Sequence, residues 1–164
     1  MKKLNDITEE LISYIIAKLS GKIIKTQLVK LIYLCDVEAY KFTGSQVTNI
    51  KWEYYHYGPY NKELDHKLQL LEKNKIIEKI PKSRITEKQE PYFIYKHKGI
   101  DINYDFSVMQ KNIINTILKQ YGSFTLNSLL ELIYDVEPMK NTKQGKLIDF
   151  DKIRTIEKYK DENK

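Results

Sequence analysis

Apolar residues recur at intervals of three and four over two early stretches of the chain, a spacing that predicts two amphipathic helices. The first is predicted to begin at Asn5 or Asp6, either of which can cap its amino terminus, and to end at Ser20-Gly21. Its apolar positions are Ile7, Leu11, Ile12, Ile15, Ile16 and Leu19. The second is predicted to run from the N-cap Thr26 to Thr43-Gly44. Its inward face is predicted to carry Leu28, Leu31, Ile32, Cys35, Ala39 and Phe42.

An aromatic segment over residues 50–57 predicts a β-strand, because it contains no helix start or stop signal. Alternation places Trp52, Tyr54 and His56 on one face and Lys51, Glu53, Tyr55 and Tyr57 on the other. Gly58 and Pro59 then predict a sharp turn from strand to helix, since glycine frees the backbone and proline restricts the next φ. The helix that follows is predicted over residues 59–74, with Leu64, Leu68 and Leu71 buried.

The second half of the chain predicts a β-ribbon and more helices. Strands over residues 76–80 and 91–98 flank a polar loop at 81–90, and a helix followed by such a ribbon is the layout of a winged helix. After a linker at 99–104, helices are predicted from Phe106 to Gly122, from Thr125 to the break at 136–139, and over 149–159. Their inward residues are Ile113, Ile114, Ile117, Leu118, Tyr121, Leu126, Leu129, Leu130 and Ile133.

The predicted fold is therefore mainly α (α+β): a compact helical domain with a short β-hairpin, winged-helix-like. We expect one domain over residues 1–155 and a frayed tail over 156–164.

Composition and charge narrow the class of protein. With 164 residues and 41% hydrophobic residues, the chain is long and apolar enough for a folded domain. The net charge of +6 is compatible with nucleic acid, an anionic membrane or an acidic protein as partner, or simply with a lysine-solvated surface. A single cysteine excludes an intramolecular disulfide framework, and no apolar run approaches the roughly 18 residues of a membrane span. We expect a soluble, cytoplasmic protein.

Motifs of catalysis are largely missing. The sequence shows no phosphate-binding glycine loop, no nucleophile elbow and no histidine pair at metal-ligand spacing. His56 could pair with Asp65 or Asp36 as acid and base, but a hydrogen-bonded or interfacial histidine is the favoured interpretation. Cys35 lies in the apolar stripe of the second helix and is predicted to be a buried thiol. We expect no enzymatic activity, no metal and no cofactor.

Aromatic residues concentrate around the predicted strand, and this cluster allows two interpretations. It can be core, or it can be partly exposed, since Tyr and Trp are favoured anchors of protein interfaces. We expect a mixture, with Trp52 inward and some of Tyr55, Tyr57 and Tyr60 available to a partner. The cluster comprises Tyr33, Tyr40, Trp52, Tyr54, Tyr55, Tyr57 and Tyr60.

The order and spacing of these residues resemble a known family, the Panacea (SocA-like) antitoxin domain. The similarity is carried by Lys30 to Asp36 (KLIYLCD), Tyr40, Thr43-Gly44, Trp52 and Tyr57-Gly58-Pro59-Tyr60. Leu129 to Tyr134 and Glu137-Pro138-Met139 extend it, so that it spans about residues 26–149. The chain departs from the family pattern at Met139, where an aromatic residue is usual, and at Tyr134-Asp135, where Thr-His is typical.

The resemblance implies a bacterial, archaeal or phage antitoxin, often carried by prophages, that neutralises a cognate protein toxin by direct binding. Members of at least one type deliver the toxin to an ATP-dependent protease instead. On this interpretation the partner-binding residues are Tyr33, Asp36, Tyr40, Tyr55, His56, Tyr57, Gly58, Pro59 and Tyr60.

A second hypothesis is a nucleic-acid-binding winged-helix regulator that uses the basic hairpin at 72–98. Salt-dependent phosphate contacts would then come from Lys73, Lys75, Lys79, Lys82, Arg84 and Lys88. Glu63, Asp65 and Glu72 on the preceding helix would repel phosphate. The antitoxin interpretation is therefore preferred.

Overall fold

The computed structural model describes residues 1–20, 23–82 and 92–156. Five α-helices lie in this part of the chain, together with two short 3-10 helices at Met139–Asn141 and Phe150–Lys152. The α-helices are α1 (Ile7–Leu19), α2 (Lys25–Thr43), α3 (Glu63–Lys73), α4 (Val108–Tyr121) and α5 (Leu126–Tyr134). None of them is both long and apolar enough to cross a membrane.

Five short strands form two separate antiparallel sheets in the same residues. They are β1 (Ile23–Ile24), β2 (Glu53–Tyr55), β3 (Gly58–Tyr60), β4 (Ile77–Lys82) and β5 (Tyr92–His97). One sheet has the order β1-β5-β4 and the other pairs β2 with β3. The mainly α, α+β class with a hairpin is thus confirmed, and the winged-helix description stays a prediction.

Local capping explains most helix boundaries. The Asp6 carboxylate accepts a hydrogen bond from the Glu9 amide at 2.8 Å at the start of α1, and Thr125 caps α5 in the same way. Helix α2 begins one residue before the predicted Thr26, because Ile24 is held in β1 by its pairing with Ile94. Gly44 ends α2 in the left-handed region at φ 77°.

Helix α2 is the centre of the core. It packs against α1, α4, α5 and β3, and its residues from Leu28 to Asp36 are all buried. Cys35 is fully buried, which confirms the prediction of a core thiol. Phe42 was predicted to face inward, but it is 47% exposed because the last turn of α2 extends past the core.

The predicted long strand and immediate helix were wrong. Residues 56 and 57 form a tight turn, and Gly58 and Pro59 lie in β3, where they pair with Tyr55 and Tyr54. The positive φ of 89° at Gly58 permits this reversal, and an edge strand tolerates proline. Helix α3 starts later, at Glu63, whose amide donates to the Asn61 side chain at 2.8 Å.

The edge of β2 that does not pair with β3 is covered by residues 145–148, a distant part of the chain. The Tyr54 amide donates to the Lys146 carbonyl at 2.9 Å, and the Gly145 amide donates to the Tyr54 carbonyl at 2.7 Å. The Ile148 amide also donates to the Trp52 carbonyl at 2.8 Å. Strand β2 therefore has neighbours on both sides and is held rigidly.

In the described part of the helix predicted over 149–159, residues 150–152 form a 3-10 helix, residues 153–155 are not helical, and Ile156 is α-helical. Phe150 explains the change, because its ring packs edge-on against Tyr33 and Tyr40 at 6.0 and 5.7 Å between centroids. This anchor stops the segment from continuing as an amphipathic helix. Residues 157–159 of the prediction, and the tail beyond, lie outside the described residues.

Asp36 is the polar centre of the core and is fully buried. Its carboxylate accepts hydrogen bonds from the Thr48 amide at 2.9 Å, from the Trp52 indole N–H at 2.8 Å and from the Gln46 amide group at 3.0 Å. The Thr48 hydroxyl donates a fourth. Burial raises the pKa of Asp36, and these hydrogen bonds partly offset the effect because they favour the charged form.

Removal of this carboxylate should destabilise the whole domain. Asp36→Ala leaves buried donors without an acceptor, so we expect a loss of about 3–5 kcal/mol in the free energy of unfolding. Urea unfolding followed by circular dichroism measures it. The control is Asp151→Ala, which removes an acceptor from the exposed hydrogen bond with Tyr40 and should cost under about 1 kcal/mol. Equal losses for the two variants would contradict the central role of Asp36.

Candidate functional site

The β2–β3 hairpin exposes aromatic side chains at its tip. Tyr55 is 51% exposed and Tyr57 is 70% exposed, although aromatic side chains are usually largely buried. The His56 ring lies against Tyr55 with 4.4 Å between centroids, and the Tyr60 ring lies 5.4 Å from Tyr55 on the other strand. We call Tyr55, His56, Tyr57 and Tyr60 the hairpin surface.

The hairpin packs against α5 and α2. A Cβ atom added to Gly58 would lie 3.1 Å from the Leu130 side chain and 3.6 Å from Cε of Lys30. Tyr54 packs on Tyr134 with 5.6 Å between ring centroids. The hairpin surface is therefore presented by a rigid support, although its tip is open to solvent.

A groove of about 590 Å³ runs beside the hairpin surface, between the hairpin and the start of α2. We call it the hairpin groove. Its walls are mostly apolar and aromatic, with lysines at intervals. The lining residues are Lys25, Thr26, Val29, Lys30, Glu53, Tyr55, Tyr57, Gly58, Tyr60, Asn61 and Lys62.

Lys30 is an unusual lining residue of the groove because it is a charged side chain that is almost fully buried. Its side chain is 97% buried, and its ammonium donates a hydrogen bond to the Pro59 carbonyl at 2.9 Å. It forms no ion pair with any carboxylate in the described residues. Burial lowers the pKa of Lys30 to about 8, so the side chain is still mainly positive at neutral pH but is destabilised by desolvation.

The other charged residues of the hairpin groove differ from Lys30 because each is either ion-paired or exposed to solvent. The Lys25 ammonium pairs with the Asp65 carboxylate and lies over the Tyr60 ring, 5.7 Å from its centroid. Lys62 and Glu53 are exposed to solvent. Lys30 is thus the lining cation that has neither a carboxylate partner in the described residues nor full hydration.

The predicted partner-binding residues do not all lie on one surface. Tyr33 and Asp36 are buried in the core, where Tyr33 packs on Trp52 and Asp36 accepts a hydrogen bond from the Trp52 indole. Gly58 and Pro59 are also buried and shape the hairpin. Tyr40 is half-buried at the far end of α2 and donates to Asp151. The structure brings together Tyr55, His56, Tyr57 and Tyr60.

Lys30 was not among the predicted partner-binding residues, although it lies in the segment KLIYLCD that resembles the family pattern. The groove that it lines was not predicted either. One signal was available. Apolar residues surround Lys30 on every side of its helix, from Leu28 to Cys35, and such a helix is buried all round. A lysine at that place in the sequence must be at least partly desolvated.

The predicted phosphate-contacting residues are only partly described. Lys73, Lys75, Lys79 and Lys82 are exposed near the end of α3 and along β4, whereas Arg84 and Lys88 lie outside the described residues. The Lys79 ammonium lies over the Phe93 ring, 4.3 Å from its centroid.

The acid–base pairs considered for His56 are not formed. Asp36 is occupied by its four donors, and Asp65 contacts Lys25 and the Tyr60 hydroxyl. Among residues 1–20, 23–82 and 92–156, no group of three or more His, Cys, Asp or Glu side chains is placed to hold a metal ion. The arrangement can bind a partner, and the described side chains show no catalytic grouping.

The fold and the hairpin surface define a small α+β domain that presents an aromatic hairpin beside a lysine-containing groove. The sequence pattern of the SocA-like antitoxin, Panacea domain, matches residues 28–138, which is 111 of the 164 residues. The chain belongs to this family. No curated protein and no solved structure matched it significantly. The matched range holds the hairpin, α5 and all lining residues of the groove except Lys25 and Thr26. It ends before residues 145–148, which complete the second edge of β2.

Substitution of Lys30 should change how stability depends on pH. The depressed pKa means that folding disfavours the charged lysine, so this cost is fully present below the folded pKa of about 8 and vanishes above the unfolded value near 10.5. The wild type should therefore gain on the order of 2–3 kcal/mol relative to Lys30→Met between pH 7 and pH 10. Urea unfolding of both proteins at the two pH values measures the difference.

Other groups around Lys30 are Glu53 across the groove and Tyr134 on α5. Burial raises the pKa of Tyr134 to about 12, so Tyr134 does not change charge between pH 7 and pH 10. Lys41→Met, an exposed lysine on the same helix, is the matched control and should alter stability by under about 0.5 kcal/mol at either pH. A difference between wild type and Lys30→Met that stays constant with pH would refute the desolvated charge.

Proposed function

We propose that this protein is an antitoxin that neutralises a cognate protein toxin by direct contact through the hairpin surface. The observation that carries the proposal is the exposure of Tyr55 and Tyr57 on a rigid hairpin in a chain of the SocA-like antitoxin family. Tyrosine supplies a large contact area and a polar hydroxyl while losing little conformational entropy on binding. The protein then acts as a binding module.

Rigidity of the hairpin supports this role. Strand β2 is paired with β3 on one edge and with residues 145–148 on the other, so its exposed rings are held in place before a partner arrives. A preorganised surface loses less entropy on association and so gains affinity. Neutralisation would follow from occlusion of a surface that the toxin needs for activity, or from delivery of the bound toxin to an ATP-dependent protease.

A second exposed apolar patch offers a natural comparison. Phe42, Val108 and Met109 are 47%, 80% and 55% exposed, where the end of α2 meets the start of α4. This patch shares no lining residue with the hairpin groove. Substitutions there control for a general loss of apolar surface.

Removal of the two exposed tyrosines should abolish neutralisation without unfolding the protein. Tyr55→Ala combined with Tyr57→Ala deletes interface anchors, so binding should weaken by at least about tenfold, while stability changes by less than about 1 kcal/mol. The test is co-expression with the product of each adjacent gene, scored by rescue of growth and by co-purification. Toxin abundance in the same cells separates occlusion from proteolysis, since only delivery to a protease lowers it.

The matched control is Phe42→Ala combined with Met109→Ala, which removes apolar surface from the second patch. It should rescue growth as the wild type does. Rescue by the tyrosine double variant, or the absence of any toxic neighbour that co-purifies, would count against the proposal.

Binding to nucleic acid is a second candidate, favoured by the exposure of Lys73, Lys75, Lys79 and Lys82 at the end of α3 and along β4. Phosphate contacts would make the affinity fall steeply with salt. Gel-shift titrations at two salt concentrations, with Lys79→Ala combined with Lys82→Ala, decide the matter. Undetectable or salt-insensitive binding eliminates this candidate and leaves the antitoxin proposal untouched.

A further inference from the structure

Lys30, a buried lysine without a carboxylate partner in the described residues, lines the hairpin groove. Lys30 is 97% buried, lines the groove and uses its ammonium for one hydrogen bond, to the Pro59 carbonyl at 2.9 Å. An ammonium has three donor hydrogens, so one carbonyl does not satisfy it. Buried charges in proteins are normally paired, because an unpaired one loses its hydration without compensation.

The described residues of the chain do not provide the missing anion. Asp36, on the same helix, is occupied by Thr48, Trp52 and Gln46. Asp65 is paired with Lys25 at the other end of the groove. Glu53 lies on the opposite wall and is exposed to solvent, where water stabilises its charge.

An unpaired buried charge lowers the stability of the free protein, and an anion bound beside it would offset this loss. A titratable group that is perturbed by desolvation and lies in a cleft is a candidate for a functional site. The low pKa of Lys30 reflects the same desolvation and would be relieved by an anion placed beside it. The hairpin wall of the groove, across from Lys30 on α2, carries Tyr55 and Tyr57, whose rings suit contact with an apolar or aromatic side chain.

We propose, building on the function proposed above, that the hairpin groove receives an acidic side chain of the toxin, whose carboxylate pairs with Lys30, next to an aromatic or aliphatic side chain that packs on Tyr55 and Tyr57. A monoanion fits better than a phosphate, because the groove offers one buried cation and also contains the Glu53 carboxylate. Its volume of about 590 Å³ accommodates a few side chains of a peptide segment. The pair between the toxin carboxylate and Lys30 makes the interface specific for this toxin, and the hairpin surface surrounds that pair.

A dipeptide pair tests the groove without any toxin. The full chain is titrated with N-acetyl-Phe-Glu-amide and with its glutamine analogue, and binding is followed by two-dimensional NMR. We expect the glutamate peptide to shift resonances of the groove with an affinity at least about tenfold tighter than that of the glutamine peptide. Lys30→Met should abolish this preference, whereas Lys41→Met should keep it. A separate titration with inorganic phosphate should produce no comparable shifts.

Several outcomes would overturn the inference. They are equal binding of the two peptides, no binding of either up to about 20 mM, preservation of the preference in Lys30→Met, or a response to phosphate as strong as that to glutamate. The unfolding curve of Lys30→Met is recorded in parallel. A variant that binds less yet is at least as stable as the wild type separates a binding role from a structural one.

A toxin that co-purifies with the wild type provides the second arm. Its affinity for Lys30→Met should fall by at least about tenfold, with Lys41→Met unchanged. If the toxin binds Lys30→Met as tightly as the wild type, the antitoxin function stands and the assignment of Lys30 is wrong. If no neighbour is toxic but the glutamate preference is present, the groove is an acidic-peptide site in a protein with another role.

Discussion

The Asp36 carboxylate is the constraint on which the rest of this structure depends. It takes the place of an apolar side chain at the centre of the core and gathers donors from Gln46, Thr48 and Trp52. Through these contacts α2 is tied to the segment that leads into β2, so the position of the hairpin is set by one buried group. The Trp52 indole, held by its N–H, then supports Tyr33, which in turn packs on Phe150.

Lys30 and Asp36, six residues apart on α2, are both buried but differ in how their charges are hydrogen-bonded. Asp36 is fully buried and fully hydrogen-bonded, so its charge is used inside the protein to specify the fold. Lys30 is nearly as buried but has a single carbonyl as acceptor, so its charge remains available at the wall of the groove. Helix α2 thus carries Asp36, whose hydrogen bonds are satisfied, and Lys30, whose hydrogen bonds are not. It extends from the core of the domain to the proposed binding surface.

The hairpin combines properties that a docking element needs. Hydrogen bonds on both edges of β2 and the close contact of Gly58 with Leu130 fix its backbone, while Tyr55 and Tyr57 project into solvent. The family pattern ends at residue 138, yet residues 145–148 complete the second edge of β2 from outside that range. The C-terminal part of this chain is thus an integral support of the site.

Much of the fold could be predicted from local sequence rules. Periodic apolar residues predicted α1, α2, α4 and α5, and Asp6, Gly44 and Thr125 marked their ends, because helix geometry and capping depend on residues only a few positions apart. The order of motifs likewise indicated the family. The buried state of Cys35 followed from the same helical phase.

What only the tertiary structure decided depends on contacts between residues far apart in the chain. An alternating aromatic segment has two faces, and no local rule tells which face will be covered; here Trp52 is covered by α2 and Tyr55 is left open. Gly58 and Pro59 continue a sheet instead of starting a helix, because they pair with Tyr55 and Tyr54 of β2, whose other edge is covered by residues 145–148, some 90 positions further along the chain. The isolation of Lys30 from every carboxylate in the described residues is also a property of the packed chain, because the charge of a residue is written in its sequence but its neighbours in space are not.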